Sequence, residues 1–288
     1  MTACLTPIKL IDENGHEQLR PCSRCDACLV RSREDWAFRL KQEWKVSGSA
    51  FFITLTYDWE NLPIEEVIDP ETGVVMFAAC VDKTAMQGFL REYRRKFPPE
   101  DVRFYGISEY GKERLRPHYH LIMFHKGIYD FTEIEEIVRK IWHSPEITVG
   151  PLDEGAVVYC TTYCLTRKSR PSYLSPNFRL MSRKPGIGNA YIESAKDWHL
   201  SGEKFFVVDQ NGFKQNLPRY YRDRIFSEEQ RSRHCEDTET ATVKRNETFI
   251  KVDCNGDPEL AYRKRREAII DYHRRISKTL DKKKPTNL

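Results

Sequence analysis

The stretch Arg116-Pro117-His118-Tyr119-His120-Leu121-Ile122-Met123-Phe124 constrains this chain more than any other. A proline at its start and an apolar run from Leu121 to Phe124 favour a strand over a helix. Side chains alternate across a strand, so His118 and His120 share one face while Tyr119 points to the other. Two imidazoles one residue apart on a rigid element make half of a metal site. Upstream, Arg103-Phe104-Tyr105-Gly106-Ile107-Ser108-Glu109 reads as a second strand, and Gly111-Lys112-Glu113-Arg114-Leu115 as a polar turn. An antiparallel hairpin centred on that turn sets Glu109 opposite His118, so Glu109, His118 and His120 converge. The competing reading is a pair of core or edge histidines satisfied by ordinary hydrogen bonds.

A second pattern lies in Tyr159-Cys160-Thr161-Thr162-Tyr163-Cys164-Leu165-Thr166-Arg167-Lys168. Asp153-Glu154-Gly155 starts a helix there, and Val157, Cys160, Cys164 and Leu165 form its apolar stripe. Tyr159, Tyr163 and Arg167 fall four apart and share a face. Taken alone, two tyrosines at this spacing read equally well as half-buried packing.

The segments Phe51-Phe52-Ile53-Thr54-Leu55-Thr56-Tyr57, His118-Tyr119-His120 and Tyr159-x-x-x-Tyr163 stand in the order of the three rolling-circle initiator motifs. In this the chain resembles the HUH endonucleases, most of all the replication initiators (Rep) of microvirus and gokushovirus type single-stranded DNA phages. Ser108-Glu109-Tyr110-Gly111, the Arg116–His120 context, the early Cys-x-x-Cys-x-x-Cys and Ser182–Gly188 add to the resemblance, which spans about residues 1–192. It implies a metal-dependent nickase and strand transferase in which Glu109, His118 and His120 hold Mg²⁺ or Mn²⁺ at the scissile phosphate. Imidazole ligands by themselves lean toward Mn²⁺ or Zn²⁺. Tyr159 and Tyr163 would attack in turn, each leaving a 5′-phosphotyrosine and a free 3′-hydroxyl; which attacks first is open. Family members place a lysine three residues after the second tyrosine. Thr166 stands there instead, so Arg167 and Lys168 are the candidate phosphate clamps, with Arg167 preferred because it shares the tyrosine face. The implied partners are a single-stranded DNA origin and host replication proteins such as a helicase, in the bacterial cytoplasm, with no nucleotide cofactor and no membrane.

Three rivals are weaker. A histidine triad needs a third histidine where Ile122 stands. A non-catalytic single-stranded nucleic-acid-binding module on the same kind of sheet presents aromatics where His118 and His120 stand. HUH relaxases place the tyrosine before the histidines, whereas here it follows; paired-histidine transposases are the nearer alternative.

Pro21-Cys22-Ser23-Arg24-Cys25-Asp26-Ala27-Cys28 is a separate signal. Two successive Cys-x-x-Cys steps suit a zinc knuckle or an iron–sulfur loop, and Ser32 stands where the bacterial ferredoxin run wants a cysteine. Structural zinc needs a fourth ligand, Cys4 or else His16; three free thiols are the alternative. No leader-like start and no bilayer-length apolar run are visible, so the nine cysteines are expected reduced or metal-bound.

The remaining periodicity predicts helices over Asp35–Val46 and Asp82–Phe97 and a strand over Ala50–Tyr57. It adds an inserted hairpin at Val67–Val75, a helix opened by a capping box at Thr132–Glu135, and a short strand at Glu146–Val149. Strand, helix, strand, strand, helix, strand is the split βαβ order, so the expected fold is α+β and ferredoxin-like, with an antiparallel sheet and helices on one face. The expected division is residues 1–34 as a Cys-rich segment, 35–170 as the nuclease core and 171–288 as a basic extension containing a hairpin and a long helix. A formal net charge of +4 does not announce nucleic acid. Local runs at Arg91–Lys96, Arg219–Arg224 and Arg263–Arg266 do, unless they are solvated helix faces. Leu217-Pro218-Arg219-Tyr220-Tyr221-Arg222 suits stacked single-stranded bases, and Gly186-Ile187-Gly188 is either a phosphate-binding turn or a plain one.

Overall fold

The computed structural model describes residues 4, 6–11, 15, 17–111, 114–163, 171–208, 212 and 214–282. In chain order the elements are β1 (Ile8–Ile11), β2 (Glu17–Arg20), α1 (Asp26–Lys45), β3 (Ser49–Thr56), β4 (Ile64–Ile68), β5 (Val75–Ala79), α2 (Lys83–Arg94), β6 (Val102–Tyr110), β7 (Pro117–His125) and α3 (Phe131–Ile141). Then follow β8 (Ile147–Pro151), α4 (Glu154–Tyr163), β9 (Arg179–Met181), α5 (Ala190–Leu200), β10 (Phe206–Val208), β11 (Lys214–Asn216), α6 (Arg219–Ile225), α7 (Glu228–Asp253) and α8 (Pro258–Lys282). The architecture is α+β. By contacts the chain divides into two compact units, Arg39–Ala190 and a second made of Met1–Phe38 with Tyr191–Lys283.

In the unit Arg39–Ala190, five strands form an antiparallel sheet in the order β8-β3-β7-β6-β9. The β-branched and aromatic run of β3 suits a pleated, buried surface. β7 sits at the centre of the sheet, pairing Thr54 of β3 with His120 and Glu109 of β6 with His118. Its odd-numbered residues Tyr119, Leu121 and Met123 enter one core with Phe51, Ile53 and Leu55 of β3. Met86, Phe89, Leu90 and Tyr93 of α2 join them from helical i, i+3, i+4 and i+7 positions, as do Ile134 and Val138 of α3. The Asp82 side chain caps α2 by accepting from the Thr84 N–H at 2.7 Å. Gly106 of β6 faces this layer: a Cβ there would collide with the side chains of Met86 and Leu121.

Tyr119 fixes the sense of this face. Its hydroxyl donates to the Asp82 carbonyl at 2.8 Å, accepts from the Asp82 N–H at 2.9 Å and meets the Tyr57 hydroxyl at 2.9 Å. Removing one partner from a buried hydrogen-bond cluster costs about 1–3 kcal/mol. Tyr119→Phe should therefore lower denaturation stability by that amount. Since Tyr119 points away from His118 and His120, any activity of those residues should be retained at low temperature.

At the far end of β7, His125 is buried, with Nδ1 2.9 Å from Asp101 Oδ2 and Nε2 3.0 Å from the Tyr93 hydroxyl. Burial holds its pKa below the ordinary value, against the opposing pull of Asp101. The unfolded chain then takes up a proton near pH 6.5 that the folded chain refuses, so stability falls as pH drops below that value. The expected slope is at most about 1.4 kcal/mol per pH unit for this histidine. Urea titrations between pH 7 and 5 of wild type and His125→Gln should show that part of the slope vanish in the variant.

In the unit formed by Met1–Phe38 with Tyr191–Lys283, Phe205, Val207, Leu217, Tyr221, Ile225 and Phe226 make a small core with Phe38, Tyr191 and Leu200. Tyr221 and Leu217 are buried there, and the Tyr220 ring lies under the Arg224 guanidinium at 3.8 Å. The segment Leu217–Arg222 is thus packing rather than an open stacking platform. β10 and β11 form the expected hairpin.

Other expectations shift. α1 begins at Asp26 rather than Asp35, since Cys28 and Val30 already lie buried on its first turns. α3 is capped by Asp130 rather than opened at Thr132, whose N–H donates to Asp130 Oδ1 at 2.8 Å. The N–H of Gly188 is spent on the Glu43 carboxylate at 2.5 Å, which leaves Gly186–Gly188 a plain turn. Among the described residues no helix is long and apolar enough to cross a membrane.

Candidate metal centre and tyrosine site

The even-numbered face of β7 carries the site. Among the described residues, Glu109, His118 and His120 bring one donor atom each within 4.8 Å of one another. Glu109 Oε2 lies 3.5 Å from His118 Nε2 and 3.4 Å from His120 Nε2. Strand pairing sets these positions, because Glu109 is directly across from His118 and His120 is two residues along the same face. Glu109 and His120 are buried, and His118 is partly open.

Second partners orient both imidazoles. His118 Nδ1 lies 3.1 Å from the Arg116 carbonyl, which can only accept, so Nδ1 carries the proton. In the neutral ring, Nε2 then offers a lone pair to the site. His120 Nδ1 lies 3.0 Å from Thr54 Oγ1, so its Nε2 also faces Glu109. Phe52 stacks on the His120 ring at 5.6 Å and 10°.

This donor set fits a divalent cation. Metal–ligand distances of about 2.1 Å with inter-ligand angles of 90–110° put donors about 3–3.5 Å apart, the separation found here. Imidazole lone pairs aimed at a carboxylate are mutually repulsive unless a proton or a metal ion lies between them. Burial raises the Glu109 pKa, but hydrogen bonds and charge from His118 and His120 outweigh it and hold the carboxyl below its usual value. Burial lowers the His120 pKa, favouring the neutral, ligating ring.

α4 brings Tyr159 to the same place. Its hydroxyl is 3.3 Å from His120 Nε2 and 3.4 Å from Glu109 Oε2. Its ring meets His120 edge-on at 4.9 Å and Phe52 at 6.2 Å. Val157 and Cys160 are fully buried, which makes Cys160 a packing residue. Tyr163 ends α4 one turn later. Its side chain, and all of Cys164, Arg167 and Lys168, lie outside the described residues, as does His16. Cys4, Cys22, Cys25 and Cys28 form a second cluster, with donor atoms again within 4.8 Å.

Sequence reasoning missed two supporting residues. Thr54 and Phe52 sit on the even face of β3 and hold His120; their only sequence signal is their alternation within a strand already singled out. A third feature, the exposed Trp59, lies just past β3 with the Arg116 guanidinium 4.9 Å over its ring.

Residues 50–168 match the family model for the ORF2 type of replication-associated protein. Replication-associated protein VP4 of Bdellovibrio phage phiMH2K is 26% identical over 219 residues, covering 70% of this chain and 66% of the relative. Replication-associated protein ORF2 of Spiroplasma virus 4 is 25% identical over 226 residues, covering 71% and 67%. Replication-associated protein ORF4 of Chlamydia phage 1 is 22% identical over 242 residues, covering 75% and 57%. The chain thus spans about two thirds of the first two relatives and somewhat more than half of the third. No solved structure matches the chain. The segment that carries Glu109, His118, His120 and Tyr159 is therefore the one that resembles phage replication-associated proteins.

Proposed function

We propose that this protein initiates replication of a single-stranded DNA phage genome by nicking the DNA at an origin, holding the 5′ end on a tyrosine and later rejoining the strands. The observation that carries this reading is the Tyr159 hydroxyl, 3.3 Å and 3.4 Å from the donor atoms of His120 and Glu109. A nucleophile beside an acid and two imidazoles is what phosphodiester transfer requires. The strand order β8-β3-β7-β6 also suits a ferredoxin-like HUH core, since it places the first and third of the four strands side by side. The resemblance to phage replication-associated proteins supports the biological setting.

Glu109, His118 and His120 would hold Mg²⁺ or Mn²⁺, which supplies Lewis-acid charge neutralisation at a phosphate oxygen. Thr54 and the Arg116 carbonyl keep both imidazoles aimed. The α4 backbone and Phe52 hold the Tyr159 ring so that its oxygen faces the same point. The Tyr159 oxygen bonds to phosphorus while the bond to the leaving 3′-oxygen breaks. The products are a 5′-phosphotyrosine and a 3′-hydroxyl, which takes up a proton. An unperturbed tyrosine loses its own proton only near pH 10, so positive charge beside the phenol is needed. Arg167 and Lys168 are the candidates within the chain. Tyr163, one turn from Tyr159, serves as the second nucleophile, so that one tyrosine holds a strand while the other cuts. The exchange is nearly isoenergetic, which makes religation by a 3′-hydroxyl feasible.

The test is a fluorescent single-stranded oligonucleotide carrying an origin from a related phage, incubated with protein and Mg²⁺ or Mn²⁺. Ion-dependent cleavage with label retained on the denatured protein is expected. Cleavage that persists in EDTA, or that leaves all label on free DNA, would overturn the reading.

A further inference from the structure

We propose that Cys4, Cys22, Cys25 and Cys28 bind one structural zinc ion that holds the amino-terminal hairpin to the start of α1. This does not depend on the nicking reading.

The geometry is that of a single tetrahedral ion. Cys4 and Cys25 sulfurs are 3.7 Å apart, Cys22 and Cys28 sulfurs 4.0 Å, and all four lie within 4.8 Å of one another. Zinc–sulfur bonds of about 2.3 Å at tetrahedral angles separate ligand sulfurs by about 3.8 Å. Ligands bound to different irons of a cluster sit further apart than this, and Ser32 leaves the ferredoxin spacing incomplete.

The surroundings suit thiolates. Cys22 Sγ accepts from the N–H groups of Arg24 at 3.4 Å and Cys25 at 3.2 Å, and from the Thr6 hydroxyl at 3.3 Å. Cys4 Sγ accepts from the Cys22 N–H at 3.3 Å. Ser23 adopts a left-handed φ of 58°, which turns successive amides toward one sulfur. Donors converging on ligand sulfurs are the outer-shell contacts that stabilise metal thiolates. Of these donors Thr6 counts most toward bringing the Cys22 thiol down to about 5.

The second argument is what the hairpin lacks. β1 and β2 are four residues each, and Ile8, Leu10 and Ile11 are 40%, 52% and 71% exposed. A two-stranded hairpin with its apolar side chains in water is marginal on its own. Small segments without a core are held by metals or cross-links, and the binding free energy of structural zinc then becomes folding free energy. Cys4 precedes the hairpin, Cys22 and Cys25 follow it, and Cys28 lies in the first turn of α1. One ion would close the loop.

The test is metal analysis of the full chain purified under reducing conditions, alongside Cys25→Ser, Cys25→His and His118→Ala/His120→Ala. The last variant removes the other cluster able to hold zinc. About one zinc per chain should persist in His118→Ala/His120→Ala and be lost in Cys25→Ser. Cys25→His, which replaces one ligand by another, should retain zinc if Cys25→Ser fails to fold. Cobalt(II) exchanged into the site should give sulfur-to-cobalt charge-transfer absorption in wild type and in the histidine variant. Zinc removal should raise amide exchange across residues 6–20. No zinc, iron with labile sulfide, or zinc lost with the histidines but kept in Cys25→Ser would each overturn the proposal.

Discussion

Replacing Tyr159 by phenylalanine is expected to slow covalent strand cleavage by about a thousandfold or more, with little change in stability. The ring would keep its edge contacts with His120 and Phe52, while only the hydroxyl, with long contacts to His120 and Glu109, is lost. The effect should fall on the single-turnover cleavage rate rather than on DNA affinity. Residual activity in this variant would come from Tyr163, so Tyr159→Phe/Tyr163→Phe should leave none. Single-turnover assays with labelled oligonucleotide provide the measurement. A Tyr159→Phe rate within twofold of wild type would remove Tyr159 from the reaction.

The second large effect concerns the ligands. Glu109→Ala or His118→Ala should weaken divalent-ion binding by more than the 10–100-fold typical of outer-shell losses, with a comparable fall in cleavage at fixed ion concentration. Binding linkage provides a readout free of DNA. An ion that binds the folded state alone stabilises it by about 2.7 kcal/mol at a hundredfold excess over Kd. Wild type should therefore melt higher as Mn²⁺ is raised, and His118→Ala should not. Equal stabilisation of both proteins would place the ion elsewhere. The Cys-cluster variants form the control, because their ion sensitivity should be zinc-specific and insensitive to His118.

Much of this site was legible because its parts obey simple periods. The alternation of His118, Tyr119 and His120 sends imidazoles and phenol to opposite faces, and the structure puts Tyr119 in the helix-covered core accordingly. The turn between Glu109 and His118 was short enough to set their register. Tyr159 followed from a helix start at Asp153–Gly155. What stayed hidden has physical reasons. α7 buries none of its residues, so no apolar stripe marks it, and its Ser227–Gln230 capping box was the one available signal. α1 lengthens toward its amino terminus because Cys28 counts there as a buried helical residue, whereas the cysteine spacing drew attention to metal chemistry instead. Leu217–Arg222 looked like a stacking platform because exposure is not written in an alternation of aromatics and cations; a neighbouring core claimed Tyr221. Thr54 has no sequence signature as an imidazole partner, since only the β3–β7 register brings it to His120.

The most direct measurement is peptide mapping of the covalent protein–DNA adduct. The protein is incubated with a single-stranded origin oligonucleotide and Mn²⁺, digested with nuclease and protease, and fragmented by mass spectrometry. The account predicts a nucleotide phosphate on Tyr159, with Tyr163 as the alternative acceptor when Tyr159 is changed to phenylalanine. An adduct on any residue outside α4, or efficient cleavage with no adduct at all, would contradict it.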